Sequence, residues 1–366
     1  MAEIVKIVLT GGPCGGKSTA LSFLKNKLEQ MGISVLILEE TATKLLSQGK
    51  TPQNMGNYEF HKLLFETQLK GEKALEAQAE KSDNKSVIIC DRGLLDSCAY
   101  VNETDFNKYS ALHNLNQDLI RNSYDAVFHL VSAAKGAKEH YNLNNNSVRS
   151  ESIEKANMLD DDILALWVGT PHLRVIGNHE NFQNKLENLL NEVCGFIGNP
   201  EPLEIERKFL IEYPDISILD NMKLCRKTPI TQAYLNTPQE GIFRIRKRGT
   251  GENAVYIKTI KIKINDLKRI EKESYISESE YNEYLSKKKY ISGIISKDRY
   301  CIIENNTYYE LDVYPFWSDK ATLEIELLSE NQSYTLPSFI TLIREVSNEP
   351  EYRNFALAQK YNFMRK

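Results

Sequence analysis

The residues with the plainest chemical meaning lie near the start of the chain. The run Gly11-Gly-Pro-Cys-Gly-Gly-Lys-Ser18 fits G-x-x-x-x-G-K-[ST]. Glycines let backbone N–H groups turn inward around phosphates, and a following helix adds partial positive charge at its N-terminus. Lys17 reaches the β- and γ-phosphates, and Ser18 offers a hydroxyl to magnesium. The expected nucleotide-binding residues are therefore Gly11, Gly12, Pro13, Cys14, Gly15, Gly16, Lys17, Ser18 and Thr19, with Ser18 also a metal ligand. The competing reading is a Gly-rich turn that binds nothing. It explains neither the strand-like run ending at Thr10 nor the helix-like run that begins at Ser18.

Asp91 and Arg92 follow the apolar run Val87–Cys90. At the carboxyl edge of a parallel sheet, Asp91 either positions magnesium or a phosphoryl acceptor, with Arg92 on a phosphate, or caps the next turn. Glu39 and Glu40 end another run, where one either takes a proton from an acceptor hydroxyl or caps a helix. A long polar connection carries Lys135, Lys138 and Arg149. It is either a lid that brings charge to a transferring phosphate, with Arg149 the first choice, or a solvated loop. The Asn-Lys-x-Asp base-reading motif is absent, so ATP and GTP both stay open.

The second half carries a different pattern. Glu204, Glu206 and Lys208 recur at i, i+2 and i+4, hence on one face of a strand. Arg244, Arg246 and Arg248 repeat the spacing with bases, and Glu271/Glu273, Glu310/Asp312 and Glu324/Glu326 repeat it with acids. Lys258 and Arg299 fall in further strand-like runs. One such strand alone is ordinarily a solvent-facing one. Together, segregated acids and bases with apolar alternates (Ile205, Phe209; Phe243, Ile245; Leu323, Ile325, Leu327) suit a closed barrel with a charged lumen and an apolar outside. Crowded carboxylates repel unless a hard cation such as Mg²⁺ or Mn²⁺ neutralises them, and clustered Arg and Lys bind a polyanion such as a triphosphate.

Elements must hold these groups in place. The runs Ile4–Thr10, Val35–Leu38, Val87–Cys90, Ala126–Val131 and Leu173–Ile176 lack period-2 polarity and alternate with helix-like stretches, including Ser18–Met31, Tyr58–Glu80 and Asn181–Cys194. That predicts an α/β domain with a buried parallel sheet. Gly195–Pro202 is a break, so domains of residues 1–198 and 199–366 are expected, the second mainly antiparallel strands. A chain of 366 residues with 41% apolar and 26% charged residues has ample material for two cores. No apolar run approaches the roughly 20 residues that span a bilayer, and the start is unlike a signal peptide. Six scattered cysteines fit neither a zinc site nor a disulfide framework, which suggests a soluble cytoplasmic protein. Residues 1–200 carry 20 Lys and Arg against 25 Asp and Glu, leaving 26 against 25 beyond, so no nucleic-acid partner is expected.

TGGPCGGKST, CDRGLLDSCAY, HLVSAAKGA, NNNSVR and PHLRVIGN together resemble the P-loop kinase-like domain of nicotinamide-riboside kinases and their relatives over most of residues 1–198. The resemblance implies a sheet of order 2-3-1-4-5 and assigns catalytic-edge and lid roles to Asp91 and Arg149. The series E-x-E-x-K (Glu204, Glu206, Lys208), QAYL, RIRKR, KDRY, YELDVY and LEIEL is similar to the CYTH domain of triphosphate tunnel metalloenzymes over roughly 203–330. That implies an eight-stranded antiparallel tunnel hydrolysing a linear triphosphate, inorganic or organic. Metal would be carried by Glu204, Glu206, Asp312, Glu324 or Glu326, and phosphates by Lys208, Arg244, Arg246, Lys258 and Arg299. Lys261 and Lys263 compete with Lys258 for that last place. The tail from 331 is expected to be a helical appendage. By domain order the chain also resembles a GTP-binding trafficking protein whose second domain binds a phosphorylated ligand or an anionic lipid at the membrane surface.

Overall fold

A computed structural model of the chain describes residues 3–136, 152–178, 181–198, 203–235, 241–264, 268–287 and 291–361. It divides into two compact units, Met1–Asn191 and Glu192–Lys366.

In the first unit β1 (Ile4–Thr10), β2 (Ser34–Leu38), β3 (Ser86–Asp91), β4 (Ala126–Leu130) and β5 (Leu173–Ile176) form a sheet of order β2-β3-β1-β4-β5. Every pairing is parallel. β3 and β4 are buried along their whole length, which is why their sequences show no alternation. The helices are α1 (Lys17–Gln30), α2 (Thr41–Ser47), α3 (Pro52–Met55), α4 (Asn57–Ala79), α5 (Glu103–Ala111), α6 (Gln117–Arg121), α7 (Ile153–Trp167) and α8 (Phe182–Ile197), the last running through the division between the units. α1 turns its Ala20, Leu21, Leu24 and Leu28 inward, and α7 is capped by the Ser152 hydroxyl, which accepts from the Lys155 N–H.

The second unit consists of β6 (Leu203–Glu212), β7 (Cys225–Leu235), β8 (Ile242–Arg248), β9 (Val255–Lys263), β10 (Lys268–Ile276), β11 (Ile291–Glu304), β12 (Thr307–Val313), β13 (Lys320–Glu326) and β14 (Leu342–Glu345). Three helices accompany them: α9 (Ile216–Asn221), α10 (Glu278–Ser286) and α11 (Asn354–Lys360). The antiparallel order is β10-β9-β8-β7-β11-β12-β13-β6-β14, with a further pairing of β10 to β6 that closes eight of the strands into a ring. Leu203–Ile205 of β6 take that closing pairing, and β14 pairs with Phe209–Ile211 farther along the strand. Here the tail departs from the expected helical appendage. It supplies a strand to an edge whose backbone groups would otherwise be unpaired, and only then the short helix α11.

The apolar alternates do pack outward. Ile205, Phe209, Leu323 and Ile325 join Leu219 and Leu311 in one cluster, and Phe243 and Ile245 meet Tyr256 and Tyr281 in another. At one end the interior is apolar too: Leu357 and Ala358 of α11 pack on Tyr234, Ile295 and Tyr314. Register places Gln232 opposite both Arg246 and Ile295, so Ile295 and, two residues along β7 from Gln232, Tyr234 belong to the inner face. A Cβ at Gly293 would lie 2.7 Å from the Ala358 carbonyl carbon, so glycine is what lets the helix seat so deeply. Among the described residues no helix is long and apolar enough to cross a membrane, and no two cysteines are joined in a disulfide.

Candidate functional site

The loop between β1 and α1 is shaped by close approach to β4. A Cβ at Gly11, whose φ is +134°, would fall 2.2 Å from the Leu130 carbonyl oxygen, and one at Gly15 would fall 2.7 Å from the same atom. Only glycine fits either place. Lys17 is buried and curls back, donating to the carbonyls of Gly11 at 2.8 Å and Gly12 at 3.0 Å. Ser18 and Thr19 stand exposed at the helix start.

Asp91 closes β3 beside this loop. Its Oδ1 is buried with no hydrogen-bond partner, and burial raises its pKa although Lys17 opposes the shift. Arg92, with a φ of 75°, donates through Nε to Glu40 Oε1 at 2.7 Å and lies 3.5 Å from Asp96. Burial alone would raise the pKa of Glu40, but Arg92 outweighs it and holds the carboxyl at about 2. Glu40 therefore serves as an ion-pair partner, for it makes no side-chain cap on α2; Glu39 is exposed. Asp96 in turn accepts from Thr10 Oγ1 at 2.8 Å and Trp167 Nε1 at 2.7 Å. Arg149 and Lys138 lie outside the described residues, while Lys135 forms ion pairs with Asp160 and Asp161.

Asp160 is the residue that sequence reasoning missed. It is fully buried on α7 and accepts from the Gly12 N–H at 2.7 Å and the Ser132 N–H at 3.2 Å, with His129 Nε2 at 3.1 Å. A Cβ at Gly12 would clash with it at 2.8 Å. Burial alone would raise its pKa; His129 and Lys135 hold it down instead. A signal existed: Ala156, Asp160, Ile163, Leu164 and Trp167 form the buried stripe of α7, so an acid stands in an apolar register.

Inside the barrel the charged side chains sort into two walls. On the first, Arg299 donates through Nε to Asp312 Oδ1 and through Nη2 to Asp312 Oδ2, both at 2.7 Å, and also through Nη2 to Glu324 at 2.9 Å and Nη1 to Glu310. Lys208 contacts Glu324 at 2.7 Å, and Lys297 pairs with Asp312. Burial works against every charge here, yet Glu324 is held well below the carboxylate range by Lys208 and Arg299, and Asp312 is lowered by Arg299 and Lys297. Lys297 goes the other way, down to about 8, because burial and the Arg299 cation outweigh its acid partners. On the second wall Arg244 lies 3.2 Å from both Glu271 and Glu273, Arg246 lies 3.0 Å from Glu273, and Lys261 lies 2.7 Å from Glu271. Thr259 donates to Glu273 at 2.7 Å.

One phosphate-binding expectation is corrected. Lys258 pairs in register with Ile245, on the outer face, whereas Thr259 pairs with Arg244 and Lys261 with Ile242 on the inner face. Lys261, with Lys263 on the same parity, lies on the inner face that Lys258 does not share. The carboxylates are also divided. Glu271 and Glu273 stand on the second wall among cations, and Asp312 is enclosed by Arg299 and Lys297, while Glu206 lies opposite Glu326 in register, next to the Lys208–Glu324 pair. The side chain of Glu204 lies outside the described residues. This corner offers hard oxygen donors of the type Mg²⁺ or Mn²⁺ takes, although among the described residues no three acids converge into a ready-made cluster. Lys297 and Glu310 were passed over as site residues even though Lys297-x-Arg299 and Glu310-x-Asp312 share inner-face parity.

A parallel α/β unit with a phosphate loop, followed by a closed antiparallel barrel lined by charge, defines a two-part phosphate-handling architecture. Residues 6–185 match the model of an AAA domain and residues 202–350 that of the CYTH domain, so the chain is a fusion of the two. No curated protein matches it. Among solved structures it is similar to an inorganic triphosphatase, at 29% identity over 43% of this chain and 94% of the other, with a TM-score of 0.30. It is also similar to an adenylyl cyclase candidate from Hippeastrum described as having a dominant triphosphatase activity, at 17% identity over 34% of this chain and 79% of the other, with a TM-score of 0.27.

Proposed function

We propose that the barrel hydrolyses a linear triphosphate with a divalent cation, Mg²⁺ or Mn²⁺, and that the first unit binds ATP or GTP with magnesium. The observation that carries the first part is the pair of cationic walls facing one another across a closed ring. Lys208, Lys297 and Arg299 take phosphate oxygens on one side, and Arg244, Arg246 and Lys261 take them on the other. Each cation already holds a carboxylate, so substrate phosphates take over those cations, and the carboxylates they displace, which stay in the barrel, become available to the divalent cation that offsets the added negative charge. Glu204, Glu206, Glu324 and Glu326 would hold the cation, whose chemistry when bound is charge neutralisation at the phosphates. Water is the nucleophile: its oxygen bonds to the terminal phosphorus as the P–O anhydride bond breaks, diphosphate leaves with that electron pair, and the proton goes to solvent.

In the first unit the orphaned Asp91 oxygen beside Lys17 and Arg92 fits a site completed by magnesium-bound water or an acceptor hydroxyl. Asp91 and Arg149 are the proposed phosphoryl-transfer residues there.

Phosphate release from tripolyphosphate, ATP, GTP and thiamine triphosphate, with and without Mg²⁺ or Mn²⁺, tests the proposal. Glu206→Gln should abolish metal-dependent release, and Arg244→Ala with Arg246→Ala should raise KM at least tenfold. A folded chain that binds triphosphate and releases nothing from any substrate would be a binding module. Lys17→Ala should weaken nucleotide binding in calorimetry while leaving tripolyphosphate hydrolysis intact.

A further inference from the structure

We propose that Phe182 is the platform on which the base of the bound nucleotide stacks, an inference that rests on the nucleotide-binding reading of the loop. The sheet order sets the direction. β1 lies between β3 and β4, and Asp91, Arg92 and Glu40 follow β3 and β2, so the groups suited to the terminal phosphate occupy one flank of the loop. A nucleotide laid along the loop with its γ-phosphate on that flank carries its base toward the other, over the carboxyl ends of β4 and β5, where ligands of open α/β sheets sit.

Phe182 stands on that flank, as the first residue of the helix that follows β5. Its ring lies directly against the last glycine before Lys17: a Cβ at Gly16 would fall 2.5 Å from Phe182 Cε2 and 2.6 Å from Cζ. Phe182 is nevertheless 41% exposed, whereas Leu186, Leu189, Leu190 and Val193 of the same helix are buried. An aromatic residue left partly in water contributes less to a core than a buried one, and beside an anion-binding loop it leaves aromatic surface within a base's reach.

The helical turn that carries the ring is tied to the loop. Lys185, one turn along the helix, is buried and donates to the Val131 carbonyl at 2.6 Å and Asn178 Oδ1 at 2.9 Å. Asn178 donates to the carbonyls of Ser132 at 2.9 Å and Lys135 at 2.7 Å, and the Ser132 hydroxyl donates to the Pro13 carbonyl at 2.5 Å. The first turn of α8, the ends of β4 and β5, and the phosphate loop are thus one hydrogen-bonded frame. Stacking reads the face of a base and not its edge, so a platform of this kind takes adenine and guanine alike.

The test uses the full chain and the Lys17-dependent part of its nucleotide affinity, measured by calorimetry with ATP and GTP. Phe182→Ala and Phe182→Leu should each weaken that binding roughly ten- to hundredfold, the range expected when a base loses an aromatic partner. Phe182→Trp should keep it, and its added emission should be quenched by ATP but not by inorganic tripolyphosphate. Unchanged affinity in Phe182→Ala, with Lys17→Ala impaired, overturns the platform alone. Unchanged affinity in both variants overturns the nucleotide reading of the loop as well.

Discussion

Arg299 touches three carboxylates, and that geometry makes it the most exposed point of failure in the barrel. Asp312 is fully buried and Glu324 nearly so, so Arg299→Ala would take from Asp312 its strongest partner and leave Glu324 with Lys208 and Lys297. Breaking a buried pair from one side typically costs about 3–5 kcal/mol. Denaturant unfolding should show a loss of that order, while Arg299→Lys keeps the charge, loses the fork and falls between. A loss below about 1 kcal/mol would mean that Lys297 and Lys208 already neutralise the wall. A second contrast tests strand parity: Lys261→Ala should weaken tripolyphosphate binding several-fold, and Lys258→Ala should not change it, in the same titration. Legibility at this scale was uneven for a physical reason. Lys17 and Arg299 sit in motifs whose spacing mirrors the task, but Asp160 reaches Gly12 from 148 residues farther along the chain, and only its apolar register on α7 sets it apart from Asp161 and Asp162.

Helices and strands carry consequences of their own. α4 buries His61, whose pKa burial alone lowers to about 4, and its Nδ1 has no hydrogen-bond partner. The unfolded chain takes up this proton near pH 6.5, while the folded chain refuses it until about pH 4. Stability that is present in full above pH 6.5 is therefore lost as pH falls toward 4, by about 3 kcal/mol at most. His61→Phe should flatten that acid limb in unfolding measured against pH; an unchanged slope would assign the titration elsewhere. The parallel strands were readable because burial, complete in β3 and β4, leaves mainly apolar runs without period-2 alternation, and β1 and β5 match theirs residue for residue. β9 was not. In Val255–Lys263 apolar and basic residues occur on both faces, so alternation alone could not choose between Lys258 and Lys261, and only the pairing with β8 does. The tail was misread because β14 is a four-residue exposed strand whose existence depends on the free edge of β6 and not on its own pattern.

For the whole chain, the order and fold of the two units were legible in two ordered motif series, whereas the seating of α11 was not, since nothing in Asn354–Lys360 says which surface it will fill. That helix gives the barrel a direction. With Leu357 and Ala358 lodged against Tyr234, Ile295 and Tyr314, the proposed hydrolysis carries an expectation: a polyanion should insert one terminus first and stop against this apolar floor. Such a floor would work as a ruler, because the bond presented for cleavage would lie a fixed number of phosphates from the inserted end. Linear polyphosphates longer than three units should then be trimmed stepwise from a terminus, with the same small product released at every step. Gel resolution of chain lengths would show a ladder descending one rung at a time. Enlarging the bore by Leu357→Ala with Tyr234→Ala should admit longer insertions and scatter the cuts, and internal cleavage by the unaltered chain would mean that the floor does not set the measure.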